Sequence, residues 1–428
     1  MDNKFLGYRC SLCGHEYGPD EITYTCPKDG GNLDVVLDYE SIRKNVYAED
    51  IFCRTDSSLW RYLPLLSVSF PPNGERTPLS LAGGTPILSL PGLAQELGLK
   101  QLWLKDESRN PTASFKDRAS AIVVARAIET KAEVVVTAST GNAGAALAGM
   151  AAAVGQKAVI FAPKTAPPAK VAQLLIFGAK VILVDGTYDE AFDLTIEAAQ
   201  EFGWYCRNTG YNPFTAEGKK TAAFEIWEFM QHEVGATARK ATGELTIPSN
   251  RPRLTIFVSV GDGNIISGIH KGFKDLFNLG WLPKMPRIIG VQAEGSAAIA
   301  NAFRAKTENI IPVQAQTIAD SISVDLPRDG VRAVRAAGET GGMYVTVSDE
   351  EILRAIATLG RVGIFAEPAG ATAFAGLTAA KAHGWLEPES PVLVLNTGSG
   401  LKDVRAAMQA VVPAPIIEPT LKALKSIL

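Results

Sequence analysis

Runs of one charge, long apolar stretches and a disulfide framework are all missing from this sequence. Its 428 residues carry a formal net charge of −3 with no block of one sign, which removes the basic stripe a nucleic-acid partner needs. No apolar run approaches the roughly 20 residues of a membrane span, and the opening MDNKFLGYRC has no signal-peptide core. The expectation is a cytoplasmic protein with neither membrane nor nucleic acid as partner. Five cysteines are few for this length, and Cys10, Cys13 and Cys26 crowd near the start, which favours metal ligation over disulfides. No GxGxxG followed by an acidic residue comes after the first strand, which argues against a dinucleotide-binding protein whose glycine turns only cradle phosphate. Repeats and low-complexity tracts are absent as well.

What is present reads as a soluble enzyme. Hydrophobic residues make up 46% and charged residues 20%, enough for a sizeable core in two or three domains. Residues 1–45 are expected to form a small zinc-ribbon-like unit. Cys10 and Cys13 make one CxxC knuckle, and Cys26 opens a second whose fourth position holds Asp29. Four ligands close a tetrahedron around zinc and tie together a unit with little core. Asp29 or His15 completes the set, or the knuckles persist as turns without metal.

Residues 46–428 are expected to form one catalytic core of α/β class. Short β-branched runs at 134–137, 158–161, 181–184, 254–260, 288–292 and 392–395 alternate with Ala-rich helical patterns. That alternation predicts parallel sheets flanked by helices. Two sheets are expected, a smaller one in a subdomain of about 130–215 and a larger one from the remainder. Residues 236–253 are polar and bounded by proline, which predicts a surface loop.

The chemistry centres on the stretch from Leu102 to Arg118. An apolar strand gives way to Lys105-Asp106-Glu107, and Asn110-Pro111 breaks the chain into a loop. Ser114-Phe115-Lys116-Asp117-Arg118 then opens a helix predicted to run to about Ala127. Lys116 therefore falls on a helix's first turn at the C-terminal edge of a parallel sheet, where such folds bind ligands. The helix macrodipole disfavours an ammonium there and lowers its pKa. A lysine that attacks a carbonyl and then moves protons needs that property.

Three further turns follow strands. Thr137 through Ala145 sets Ser139, Thr140, Gly141 and Asn142 at a predicted helix N-terminus, a ready seat for an anion. Gly261-Asp262-Gly263-Asn264-Ile265 lies between a strand and a helix predicted to begin near Ser267, and its two glycines let backbone amides curl around a phosphate. Asn396-Thr397-Gly398-Ser399-Gly400-Leu401-Lys402-Asp403 ends the last strand with a hydroxyl at Thr397.

These segments together resemble the threonine synthases, a family of fold type II pyridoxal-phosphate enzymes of the tryptophan-synthase-β kind. NPTASFKDRAS is similar to their NPTGSFKDR, STGNAGAALA to their SSGNAGAALA, VGDGNII to their glycine-rich phosphate cup, and TGSGLKD to their TGxGLKD. GGTPIL and GIFAEPAGA, the latter containing Glu367, also look like fold type II segments, Glu367 lining the cofactor without a catalytic role. The resemblance implies that Lys116 holds pyridoxal 5'-phosphate as a Schiff base and acts as general base. It places the substrate carboxylate on Ser139, Thr140 and Gly141, and Asn142 on the cofactor's phenolic oxygen. It assigns the cofactor phosphate to Gly261, Asp262, Gly263, Asn264 and Ile265, with Asp262 helping through its backbone alone, and puts Thr397 on the pyridine nitrogen. The implied reaction converts O-phosphohomoserine and water to L-threonine and phosphate in a homodimer.

Two departures bear on the substrate. Where the family's NSxNPxRxEGQKT has arginine, this chain has Thr215, which removes a bidentate phosphate donor; Lys219, Lys170 and Lys105 are the candidate replacements. Thr317-Ile318-Ala319-Asp320-Ser321-Ile322 resembles a dehydratase segment. The alternative is therefore a threonine/serine dehydratase, or a cysteate-synthase-like β-replacement enzyme acting on phosphoserine.

Overall fold

The computed structural model describes residues 4–52, 55–231, 238–239, 245–246 and 253–428. Strands β1 (Phe5–Cys10), β2 (Glu16–Tyr17) and β3 (Leu33–Leu37) form an antiparallel sheet in the order β2-β1-β3. Leu33, Val35 and Leu37 alternate inward, as a strand covered on one face requires. Next come β4 (Ile87–Ser89), β5 (Leu102–Asp106), helix α1 (Lys116–Glu129), β6 (Val134–Ala138) and α2 (Asn142–Val154). They are followed by β7 (Lys157–Pro163), α3 (Pro168–Ile176), β8 (Lys180–Val184), α4 (Tyr188–Phe202), β9 (Tyr205–Cys206) and α5 (Phe214–Phe229). Within the predicted 236–253 loop, β10 (Ala238–Arg239) pairs antiparallel with β11 (Leu245–Thr246); the rest of it lies outside the described residues. The chain closes with β12 (Thr255–Ser259), α6 (Asn264–Asn278), β13 (Arg287–Ala293), β14 (Met343–Val347), α7 (Pro368–Ala382) and β15 (Val392–Asn396).

Two larger sheets result. One has four parallel strands in the order β8-β7-β6-β9, and the other has six in the order β14-β13-β12-β15-β5-β4. Only β4 runs antiparallel in the six-stranded sheet, pairing with β5. The valine-rich runs of β6 and β15 are buried along their whole length, as expected of strands with helices on both faces. All six predicted strand positions carry a strand. β4, β9 and β14 were not foreseen, because two or three residues give no periodicity and β14 follows directly on Gly341-Gly342.

Helices α1 and α5 cross closely at Gly218, where a Cβ would collide with the backbone of Arg118. That crossing brings the first turn of α1 against α5. Helix α6 begins at Asn264, just under one turn before the predicted start near Ser267. Gly263 sits at φ +90°, a conformation open to glycine that lets the chain leave β12 and turn at once into helix.

Candidate active site

Four parallel strands end around one cavity of ≈ 590 Å³. Strand β5 delivers the loop to Lys116, β6 delivers Ser139 through Asn142, β12 delivers 261–265, and β15 delivers Thr397. All of these predicted residues line the cavity. It lies between the two sheets at their C-terminal edges, where open α/β folds bind ligands.

The Lys116 loop is held from several sides. Phe115 donates its backbone N–H to the Thr397 carbonyl at 2.9 Å, and Ser399 donates to the Ala113 carbonyl at 3.1 Å. Asp117 accepts from the Thr112 backbone N–H at 2.6 Å and from the Thr112 hydroxyl; burial pushes its carboxyl up to about 6. Behind the loop, Arg118 bridges Glu107 at 2.7 Å and Glu225 at 2.6 Å. Lys105 meets Glu225 at 2.6 Å in the same buried cluster, so it is spent on structure and does not serve as a phosphate partner.

Lys116 is exposed only in part, and it lines the cavity. Burial lowers its pKa, the nearby Glu367 carboxyl opposes that fall, and the Arg207 guanidinium adds to it. No carboxylate lies within ion-pair distance of Lys116 among the described residues. Glu367 is more engaged than its segment suggested: Asn142 donates to its Oε1 at 2.7 Å. Burial raises the Glu367 carboxyl, and Lys116 is the main influence pulling it down.

The 261–265 turn offers backbone amides at the N-terminus of α6. The Asp262 carboxyl accepts from the Arg328 backbone N–H at 3.2 Å; burial raises it, while that bond and the Lys219 and Lys116 charges pull it down. Thr215 does not replace an arginine's charge; its hydroxyl bonds the Asn212 carbonyl at 2.7 Å and Asn264 Oδ1 at 3.1 Å. Lys219 lines the cavity, its Nζ 2.5 Å from Asn264 Oδ1. Lys170 pairs with Asp320 at 2.5 Å beside the mouth. In the dehydratase-like segment, Thr317 is drawn off to Asp349 at 2.5 Å, while Asp320 and Ser321 reach the cavity wall.

A pyridoxal phosphate fits this set: an amine with no paired carboxylate, a glycine turn at a helix N-terminus and a hydroxyl at a strand end converge on one cavity. The cysteines of the N-terminal unit converge too. Ligand atoms of Cys10, Cys13, Cys26 and Asp29 all lie within 4.8 Å of one another. A tetrahedron with zinc–sulfur bonds of about 2.3 Å has edges of roughly 3.8 Å, and Cys13 Sγ stands 3.8 Å from Cys26 Sγ. His15 is outside the cluster, its Nδ1 3.0 Å from Lys28 Nζ, so Asp29 is the fourth candidate ligand. Asp29 is aimed by the Gly31 N–H, which donates to it at 2.9 Å.

Comparisons with known proteins agree with this geometry. Residues 79–398 match the family model described as pyridoxal-phosphate dependent enzyme. The chain is 39% identical to the threonine synthase of Methanocaldococcus jannaschii, covering 98% of each chain. It is 35% identical to that of Methanosarcina acetivorans over 97% of each. Among solved structures, the processed form of threonine deaminase isoform 2 from Solanum lycopersicum superposes with a TM-score of 0.63 at 20% identity, covering 86% of this chain and 89% of that one. Diaminopropionate ammonia lyase from Escherichia coli gives a TM-score of 0.63 at 21% identity, covering 81% and 94%. At those identities the structural likeness speaks for the fold alone.

Proposed function

The chain belongs to the pyridoxal-phosphate dependent enzymes and, within them, to the threonine synthases, and from that premise we propose how its residues divide the work. It is a pyridoxal-phosphate dependent lyase that converts O-phosphohomoserine and water to L-threonine and phosphate. The observation that carries the division of labour is the meeting of Lys116, the 261–265 turn and Thr397 around one cavity.

Lys116 would hold the cofactor through its ε-amino group, the amides of Gly261 through Ile265 its phosphate, Asn142 its phenolic oxygen, and Thr397 its ring nitrogen. When bound, that cofactor supplies an electron sink for the carbons next to the substrate nitrogen. Ser139, Thr140 and Gly141 seat the substrate carboxylate at the N-terminus of α2, where amides and helix dipole favour an anion. Lys116 would also serve as the base at the substrate's Cα and Cβ. Its lowered pKa keeps a share of the amine neutral for that role. Glu367 fixes the Asn142 side chain, and its charge limits how far the Lys116 pKa falls. The two larger sheets act as subdomains about the cavity, the smaller at about 130–215.

The Cys10, Cys13, Cys26 and Asp29 cluster is assigned to one structural zinc, on its donor set and spacing. A homodimer in the cytoplasm is the proposed working form. Exposed Phe365, Leu401, Val404 and Met408 beside the turn after β15 offer an apolar face of the kind an interface covers, and no described helix is long and apolar enough to cross a membrane.

The test feeds the purified protein O-phosphohomoserine, threonine and phosphoserine in separate reactions. Threonine and free phosphate from the first is the expected outcome; a 2-oxo acid from threonine with no phosphate release from phosphohomoserine would overturn the reading. A Lys116→Ala variant should lose both activity and the yellow colour of the bound cofactor.

A further inference from the structure

One stretch of the chain packs on nothing. Ala410 still rests against the core of the six-stranded sheet. After it, every residue from 411 to 428 is exposed except the half-buried Ala423, and no hydrogen bond or ion pair joins the segment to another described residue. A segment that stays in solvent is expected to be polar, but this one reads VVPAPIIEPTLKALKSIL, with three charged residues. Val412, Ile416 and Leu428 are 90%, 99% and 95% exposed. Aliphatic side chains bared at this density mark a contact surface.

The segment also has the shape of an arm. Residues 411–420 form no helix or strand, and Pro413, Pro415 and Pro419 favour an extended backbone there. At about 3.1 Å per residue that is a reach of roughly 30 Å. The arm then enters the short helix Leu421–Lys425, capped by the Thr420 hydroxyl, which accepts from the Ala423 N–H at 3.1 Å. A helix this short is marginal alone in water. Leu421 and Leu424, at i and i+3, share one face of it, and that face is exposed.

The apolar face of Phe365, Leu401, Val404 and Met408 lies near the arm's root, Val404 and Met408 on the short helix Val404–Gln409 that leads into it. The arm adds eight large apolar side chains, each more than a third exposed. At about 130 Å² of apolar surface for a leucine-sized side chain, arm and face together bare roughly 1,000 Å², about what each partner buries in a stable interface. An extended arm leaves the face at its own root bare, and the same face recurs on a second copy. We propose that each copy lays its 411–428 arm over the Phe365, Leu401, Val404 and Met408 face of the other, so that two arms close one two-fold dimer. This rests on the homodimer reading above and deepens it by naming what covers each surface.

Sedimentation equilibrium on the full-length protein and two full-length variants tests this. Leu421→Glu with Leu424→Glu on the arm, or Leu401→Glu with Val404→Glu on the face, should each raise the dimer dissociation constant about a hundredfold or more, each buried side chain of this size being worth about tenfold. All four positions are exposed within one copy, so the far-ultraviolet circular dichroism of both variants should match the wild type. Mixed in equal amounts, with a mass tag on one, the two variants should form a mixed dimer in native mass spectrometry, in excess over either variant's own dimer. Only the mixed dimer sets one sound arm on one sound face. The proposal fails if either variant dimerises like the wild type, or if no mixed dimer is favoured, which would lay each arm on its own copy. A wild type that stays monomeric at every concentration overturns the homodimer reading and the inference with it, whereas a dimer indifferent to the arm overturns the inference alone.

Discussion

Asn142 and Glu367 join across the cavity through a 2.7 Å hydrogen bond, linking the first residue of α2 to the residue that precedes α7. The same carboxyl is the main influence that raises the Lys116 pKa against burial. Glu367→Gln keeps an oxygen for Asn142 and removes the charge. The Lys116 pKa should then fall further, because an ammonium loses its stabilising neighbour while its desolvation is unchanged. The rate of cofactor capture by the apoenzyme, which needs the neutral amine, should reach its half-maximum at lower pH in the variant. An unmoved or higher midpoint would show that Glu367 is protonated in the wild type and contributes only its hydrogen bond.

Ala113 holds φ +64° on the loop into Lys116, where the family motif has glycine. A residue with a Cβ pays roughly 1–2 kcal/mol for that region, and Ala113 is fixed there by bonds on both sides, its N–H to Asn110 at 2.8 Å and its carbonyl to Ser399. Ala113→Gly relieves the strain but gives the unfolded chain back about 0.4–1 kcal/mol of entropy. The net expectation is a small rise in thermal midpoint with both bonds retained. A lower midpoint would mean that the alanine methyl packs well enough to outweigh the strain.

The Arg118, Glu107, Glu225 and Lys105 cluster underlies the same loop, with both glutamates and both cations buried. Removing one partner strands the others, at a cost of about 3–5 kcal/mol. Glu225→Ala should therefore lower the denaturation midpoint sharply and slacken the Gly84 N–H, which donates to Glu225 Oε1 at 2.9 Å. The two cations hold the Glu225 carboxyl well below the usual range. Its contribution is thus fully present above the ordinary glutamate value near 4.3 and is lost as pH falls below it. The difference in stability between wild type and variant should narrow in acid; a constant difference would assign the loss to packing.

The parts of the site that could be read from the sequence are those where local chemistry dictates local shape. Glycine turns after valine-rich strands, a helix opening on Lys116 and a hydroxyl at a strand end each declare themselves within a few residues. Arg207 does not, since a single arginine after a two-residue strand has no pattern and only the fold shows that its charge bears on Lys116. Lys105 looked available because its partner Glu225 is far away in sequence. Glu367 looked like a helix-flanking residue before Pro368 until the fold set it against Asn142 and Lys116. His15 and Asp29 are likewise not separable by spacing; the fold sets Asp29 among the three cysteines and His15 against Lys28.

The N-terminal unit is wired to the cavity wall, and this gives the proposed zinc a measurable consequence. Asn32 donates to the Gly210 carbonyl at 2.6 Å and to the Arg328 carbonyl at 2.9 Å, and Arg328 lines the cavity. Tyr24 accepts from the Cys206 N–H at 2.9 Å, one residue before Arg207. Asp29→Ala should abolish stoichiometric zinc in elemental analysis, and the freed cysteines should react with a thiol reagent that spares the metal-loaded wild type. Because the turn carrying Cys26 and Asp29 also carries Asn32 a few residues on, the variant should share a raised KM for O-phosphohomoserine with Asn32→Ala. Asn32→Ala, however, should keep its zinc, which separates the bracket from the metal. If Asp29→Ala loses zinc with KM unchanged, the metal stabilises only its own unit and the bracket holds without it; if the wild type carries no metal when expressed with zinc supplied, the cluster is a pair of turns and no more.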